Sequence, residues 1–140
     1  PGSGKTHILL EFYRQILRKE AEDVQATVDY PCYYPAWIRK TCKYYYSSWI
    51  SDLIRNHEKP TVAKFNLIDD LFVEEWTNYT LSGWNAYIEE INRRDYVMIF
   101  TSNIQLKDLK DMPQYSRIIS RIAGNCRNYE LPTKDRRLLK

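Results

Sequence analysis

Apolar residues recur at helical spacing over residues 6–19, where Ile8, Leu9, Phe12, Ile16 and Leu17 share one side. That stripe predicts a helix facing a sheet. Residues 20–29 are polar and read as a loop. A short aromatic strand is expected over Asp29–Tyr34, with Pro31 confining it to an edge. After Pro35 the stripe Ile38, Cys42, Tyr45, Trp49 and Leu53 predicts a long helix to about Arg55, broken by 56–60.

The second half alternates in the same way. Val62–Ile68 reads as a buried strand ending in Asp69-Asp70. Thr77 is placed to cap a helix on the stripe Leu81, Trp84, Ile88 and Ile91, with Gly83 an awkward residue inside it. Tyr96–Phe100 is a continuous apolar run, as expected of a strand covered on both faces, and leads into Thr101-Ser102-Asn103. Short helices are expected near 105–111 and 114–123, with Gly124 as a C-cap, and a last strand over Arg127–Leu131. Strands alternating with helices predict a parallel α/β sheet, in which ligands bind beyond the carboxyl ends of the strands.

Composition narrows this picture. The 140 residues support one domain, and 44% hydrophobic content is ample for a core. No apolar run of about 18 residues occurs, which argues against a membrane span. Cys32, Cys42 and Cys126 lack metal-ligand spacing and read as thiols of a reducing cytoplasm. Net charge is only +3 but uneven: residues 61–95 carry three basic and seven acidic side chains, residues 96–140 nine and four. An acidic middle beside a basic tail suits a site that handles Mg²⁺ on one side and phosphate on the other.

The chemistry begins at the first residue. Pro1-Gly2-Ser3-Gly4-Lys5-Thr6-His7 matches a phosphate-binding loop, G-x-x-x-x-G-K-[ST], from its third position onward. Its glycines let backbone N–H groups turn toward phosphates, Lys5 reaches the terminal ones, and Thr6 offers a hydroxyl to Mg²⁺. The loop's first two positions and the strand leading into it would lie ahead of residue 1. The expectation is therefore a truncated nucleotide-binding domain lacking its first strand, poorly stable and weak in ATP binding when isolated. Asp69 after its strand can hold Mg²⁺, Asp70 can orient or deprotonate water, and Asn103 can hold that water near the γ-phosphate. Arg117 and Arg121 lie four apart on one helical face. Tyr44, Tyr45, Tyr46 and Trp49 beside Arg39, Lys40 and Lys43 admit a nucleic-acid reading, although half of these rings fall on the expected core stripe.

Taken in order, Gly-Ser-Gly-Lys-Thr-His at 2–7, Leu-Ile-Asp-Asp-Leu at 67–71, Thr-Ser-Asn at 101–103, Ser-Arg-Ile-Ile-Ser-Arg at 116–121 and Asp-Arg-Arg at 135–137 form a set. It resembles the AAA+ ATPases of the DnaC/DnaI helicase-loader group, with the IstB transposition ATPases as close relatives. The resemblance implies a P-loop fold of three layers around a parallel sheet, with ATP and Mg²⁺ as ligands. It gives Gly2, Ser3, Gly4, Lys5, Thr6 and His7 to the phosphate loop, Asp69 to the metal and Asp70 to water activation. Asn103 becomes the γ-phosphate sensor, and Arg121, with Arg117 beside it, the arginine finger acting on a neighbouring subunit's ATP. Arg137 becomes the second sensor, although Arg136 replaces the family's usual tyrosine and competes for the role. The implied partners are a replicative helicase, single-stranded DNA and further copies of the chain. An IstB-like ATPase delivering DNA to a transposase, or an assembly module that no longer hydrolyses ATP, stands as an alternative.

Overall fold

The computed structural model of the chain describes residues 4–23, 41–110 and 112–131. Helix α1 spans Lys5–Asp23, four residues beyond the expected end. Gly4 precedes it with φ +84, a left-handed backbone that glycine adopts without a steric penalty. The Ile8 N–H donates to the Gly4 carbonyl at 3.0 Å, closing the first helical turn. Leu9 and Leu17 are buried, whereas Ile8 and Phe12 stay 41% and 45% exposed. The apolar stripe of α1 is thus only partly covered.

The expected long helix of residues 36–55 is not what forms. Among the described residues of that span, Cys42–Tyr46 is strand β1 and Ser47–Arg55 is helical, as α2. A strand forms instead because tyrosines favour a pleated, half-buried surface and a strand partner is at hand. Ile50 and Ile54 are the buried apolar residues of α2, while Trp49 from the expected stripe is 53% exposed. The expected strand over Asp29–Tyr34 lies outside the described residues.

Strand β2, Phe65–Asp69, is followed by helix α3, Asn78–Arg93, and strand β3, Val97–Phe100. Helix α4 covers Leu106–Lys110, a 3₁₀ turn Pro113–Tyr115, and helix α5 Ser116–Asn125. Among the described residues the sheet has three strands in the order β1-β2-β3, all parallel. The register pairs Tyr44 with Leu67, Tyr46 with Asp69 and Leu67 with Ile99. Because side chains alternate across a strand, Cys42, Tyr44, Leu67, Asp69 and Ile99 share one face. Tyr45, Ile68, Met98 and Phe100 share the other.

Each face has its own core. Leu9 and Leu17 of α1 pack on Cys42 and Leu67, flanked by Tyr13, Ile16, Tyr44, Phe65 and Ile99. The opposite face carries a larger cluster in which α2, α3 and α5 contribute Ile50, Trp84, Ile88 and Ile118 around Ile68. The chain is therefore a mixed α/β fold with helices on both sides of a small parallel sheet. β3 is an edge strand among the described residues. Val97 is 43% exposed and the other β3 residues are half-buried, less covered than the apolar run suggested.

Thr77 caps α3 as expected, its side chain accepting from the Thr80 N–H at 3.2 Å. Gly83 explains itself. A Cβ there would lie 2.5 Å from Cγ2 of Ile54, so the close crossing of α2 and α3 requires its absence. At the far end two expectations fail. Helix α5 continues through Gly124 and ends at Cys126, whose backbone is extended at φ −115, and residues 127–131 form no strand. No left-handed residue is needed where the chain leaves a helix in extended form. Among the described residues no helix is long and apolar enough to cross a membrane.

Candidate functional site

At the carboxyl end of the sheet, β2 ends on Asp69, whose side chain is fully buried on the α1 face. Two hydroxyls hold it. Tyr44 from β1 donates to Oδ2 at 3.0 Å, and Thr101, directly after β3, donates to Oδ1. A carboxylate accepts up to four hydrogen bonds, so lone pairs remain beyond those two. Burial, and then the bond to Asp69, raises the Tyr44 hydroxyl well above the usual tyrosine range and keeps it a donor.

The turn after β2 is bound to the segment after β3. The Asp70 N–H donates to Thr101 Oγ1 at 3.0 Å, and the Leu71 N–H to the Thr101 carbonyl at 2.8 Å. Ser102 Oγ donates to the Leu71 carbonyl at 2.9 Å. Asp70 and Phe72 adopt φ +55 and +67, left-handed conformations that are uncommon outside glycine and most so for a bulky ring. Phe72 is kept there by Trp76 and Tyr115, with ring centroids 4.9 and 5.8 Å away. Strain of this kind concentrates at functional sites, where the surroundings over-determine it. Asp70 is half-buried here, and the Asn103 amide donates to its Oδ1 at 3.1 Å.

A cavity of about 770 Å³ opens between α1 and the outer edge of β3. Lys5, Thr101, Ser102 and Asn103 give it a polar end, while Ile8, Phe12 and Ile99 form an apolar wall. Its size is that of an ordinary small-ligand site. Lys5 and Thr6 stand in the first turn of α1, which has no acidic residue to offset the positive end of the helix. Lys5, Thr101 and Asn103 thus border one space, and the last two are bonded to Asp69 and Asp70. His7 is exposed. Gly2, Ser3, Arg136 and Arg137 lie outside the described residues.

The two arginines of α5 part company. Arg117 is exposed. Arg121 is half-buried against α3 of its own chain, donating to Asn85 Oδ1 at 3.1 Å and pairing with Glu89 at 3.2 Å. Of the aromatic group, Tyr45 packs in the large core, Tyr44 binds Asp69, and Tyr46 and Trp49 remain exposed, their rings meeting edge-on at 4.8 Å.

Sequence reasoning passed over Tyr44 and Thr101 as partners of Asp69. Thr101 was within reach, because the residue ending an apolar strand run falls beside the acid ending the next strand. Tyr44 was not, because its role depends on the β1–β2 register. Among the described residues no three His, Cys, Asp or Glu side chains converge on one point. Any divalent ion at Asp69 would therefore draw most of its oxygens from a ligand and water.

These observations define a mixed α/β protein with an acidic cluster at the carboxyl end of its parallel sheet. No protein family, no curated protein and no solved structure matches the chain.

Proposed function

We propose that this chain is the ATP-binding and ATP-hydrolysing part of a P-loop protein of the AAA+ type, a helicase-loader-like factor in DNA replication. One observation carries the nucleotide reading: Asn103, bonded to Asp70 at 3.1 Å, borders the same cavity as Lys5. The narrower loader reading rests on the ordered motif set alone. On it, the protein works in the cytoplasm with a replicative helicase and single-stranded DNA, and binds ATP between neighbouring copies.

The residues divide the work. Lys5 and the backbone N–H groups opening α1 bind the terminal phosphates, and the left-handed Gly4 lets the chain curl around them. Asp69 and the Thr6 hydroxyl would hold Mg²⁺, which when bound neutralises charge on the β- and γ-phosphates. Asp70, held by Asn103, orients a water in line with the γ-phosphate and takes its proton. The water oxygen bonds to the γ-phosphorus as its bond to the bridging β–γ oxygen breaks, and inorganic phosphate and ADP leave. Arg121 would supply positive charge to a neighbour's ATP, which requires it to exchange Glu89 and Asn85 for that phosphate.

Two substitutions in the full-length protein test this. Lys5→Ala is expected to abolish ATP binding in equilibrium titration. Arg121→Ala is expected to keep binding and lower turnover about a thousandfold, as for an arginine finger. Unchanged ATP affinity in Lys5→Ala would remove the nucleotide reading. A lowered melting temperature with full turnover in Arg121→Ala would reduce that residue to an α3–α5 brace.

A further inference from the structure

Asp69 is gripped from both flanks. One hydroxyl reaches Oδ2 from β1 and another reaches Oδ1 from the segment after β3, so the carboxylate plane is set by two elements that β2 does not itself contain. The Tyr44 arm is held in turn. Its ring lies 5.9 Å from that of Tyr13 on α1 and 5.6 Å, edge-on, from that of Tyr46. Tyr13 belongs to the helix that begins at Lys5, so the Tyr44 ring is packed against α1.

We propose that Tyr44 is a positioning residue for Asp69, aiming its carboxylate at the divalent cation that a bound nucleotide carries. The inference rests on the nucleotide reading above. An unbraced carboxylate rotates about its terminal bond, and a metal must then stop that motion on binding. A hydroxyl donated by a packed ring stops it beforehand, as outer partners of metal ligands commonly do. Thr101 performs the same service on the other oxygen and also fixes the Asp70 N–H, which links the aim of the two acids.

The test uses the full-length protein, ADP and Mn²⁺, with free Mn²⁺ read by electron paramagnetic resonance, so that no turnover is needed. Tyr44→Phe removes one oxygen and keeps the ring. It is expected to leave metal-free ADP affinity within about twofold while weakening Mn²⁺ binding to the ADP complex roughly tenfold. Thr101→Val is expected to weaken Mn²⁺ similarly, and Thr101→Ser to restore it. Wild-type Mn²⁺ affinity in Tyr44→Phe overturns the proposal and leaves the nucleotide reading intact. Equal losses of ADP and Mn²⁺ affinity, or loss of the fold, would make the hydroxyl structural and overturn it too. Failure of the wild-type protein to bind ADP overturns the nucleotide reading and this inference together.

Discussion

Among the described residues, the two faces of the sheet differ in how completely they are covered. On the side of α2, α3 and α5, Trp84 stacks on Trp76 at 4.7 Å, donates its indole N–H to Ser51 at 3.0 Å, and is fully buried. On the side of α1, four buried residues form the cluster among the described residues, and Ile8 and Phe12 stay partly exposed beside the cavity. Among the described residues the larger core therefore lies on one face and the candidate site on the other. Lys5 is carried by α1, which packs on the sheet through Leu9 and Leu17, whereas the acids are rooted in β2 itself.

Matched truncations on the two faces separate these roles. Trp84→Ala is expected to cost about 4 kcal/mol in denaturant unfolding, with nucleotide affinity of the folded fraction unchanged. Leu9→Ala is expected to cost about 2 kcal/mol, the low end for a buried leucine, and to weaken nucleotide binding by shifting α1. Equal losses of stability, or an unaltered affinity in Leu9→Ala, would break the contrast.

A smaller effect sharpens the account of the thick face. Gly83→Ala is expected to destabilise by about 1 kcal/mol, because Ile54 is β-branched and cannot withdraw Cγ2 from the new methyl group. In an Ile54→Ala background the same change should become stabilising, by roughly 0.5–1 kcal/mol of helix propensity. Chemical unfolding of the four proteins in a double-mutant cycle reads this change of sign. Additive effects would mean that the crossing of α2 and α3 is not set by that contact.

The smallest effect lies on the thin face. Burial, then the charge of Glu20, pushes the Cys42 thiol up to about 12 from an ordinary value of 9.0. The folded state then holds its proton where the unfolded chain releases it, so this group's contribution is intact below pH 9 and is lost as pH rises toward 12. Cys42→Ala should flatten the decline of stability between pH 9 and 10, measured by urea titration at each pH. An identical decline in the variant would assign it to other groups.

How much of this was legible in the sequence follows from what each element depends on. β2 and β3 were readable because their apolar runs end abruptly in Asp69-Asp70 and Thr101-Ser102-Asn103, which placed those polar residues at strand ends. Helix α3 was readable because Thr77 announces its start and Trp84, Ile88 and Ile91 recur at its period. β1 was not. Cys42–Tyr46 fits a helical stripe and a period of two equally well over five residues, and its strand partner lies more than twenty residues away. The same gap hid Tyr44, since only the pairing with β2 brings its hydroxyl to Asp69. The end of α5 was misread because glycine is a common stop but not a required one, and Cys126 leaves the helix in extended backbone instead.

Phosphate release from ATP by the full-length protein, compared with its Asp70→Asn variant in the same assay with ATP affinity measured alongside, meets the central claim most directly. Mg²⁺-dependent release is expected from the wild-type protein, and in the variant ATP affinity kept within about threefold with turnover down about a hundredfold or more, in keeping with the loss of a general base. A wild-type protein that neither binds nor cleaves ATP, or a variant that turns over at the wild-type rate, would contradict it.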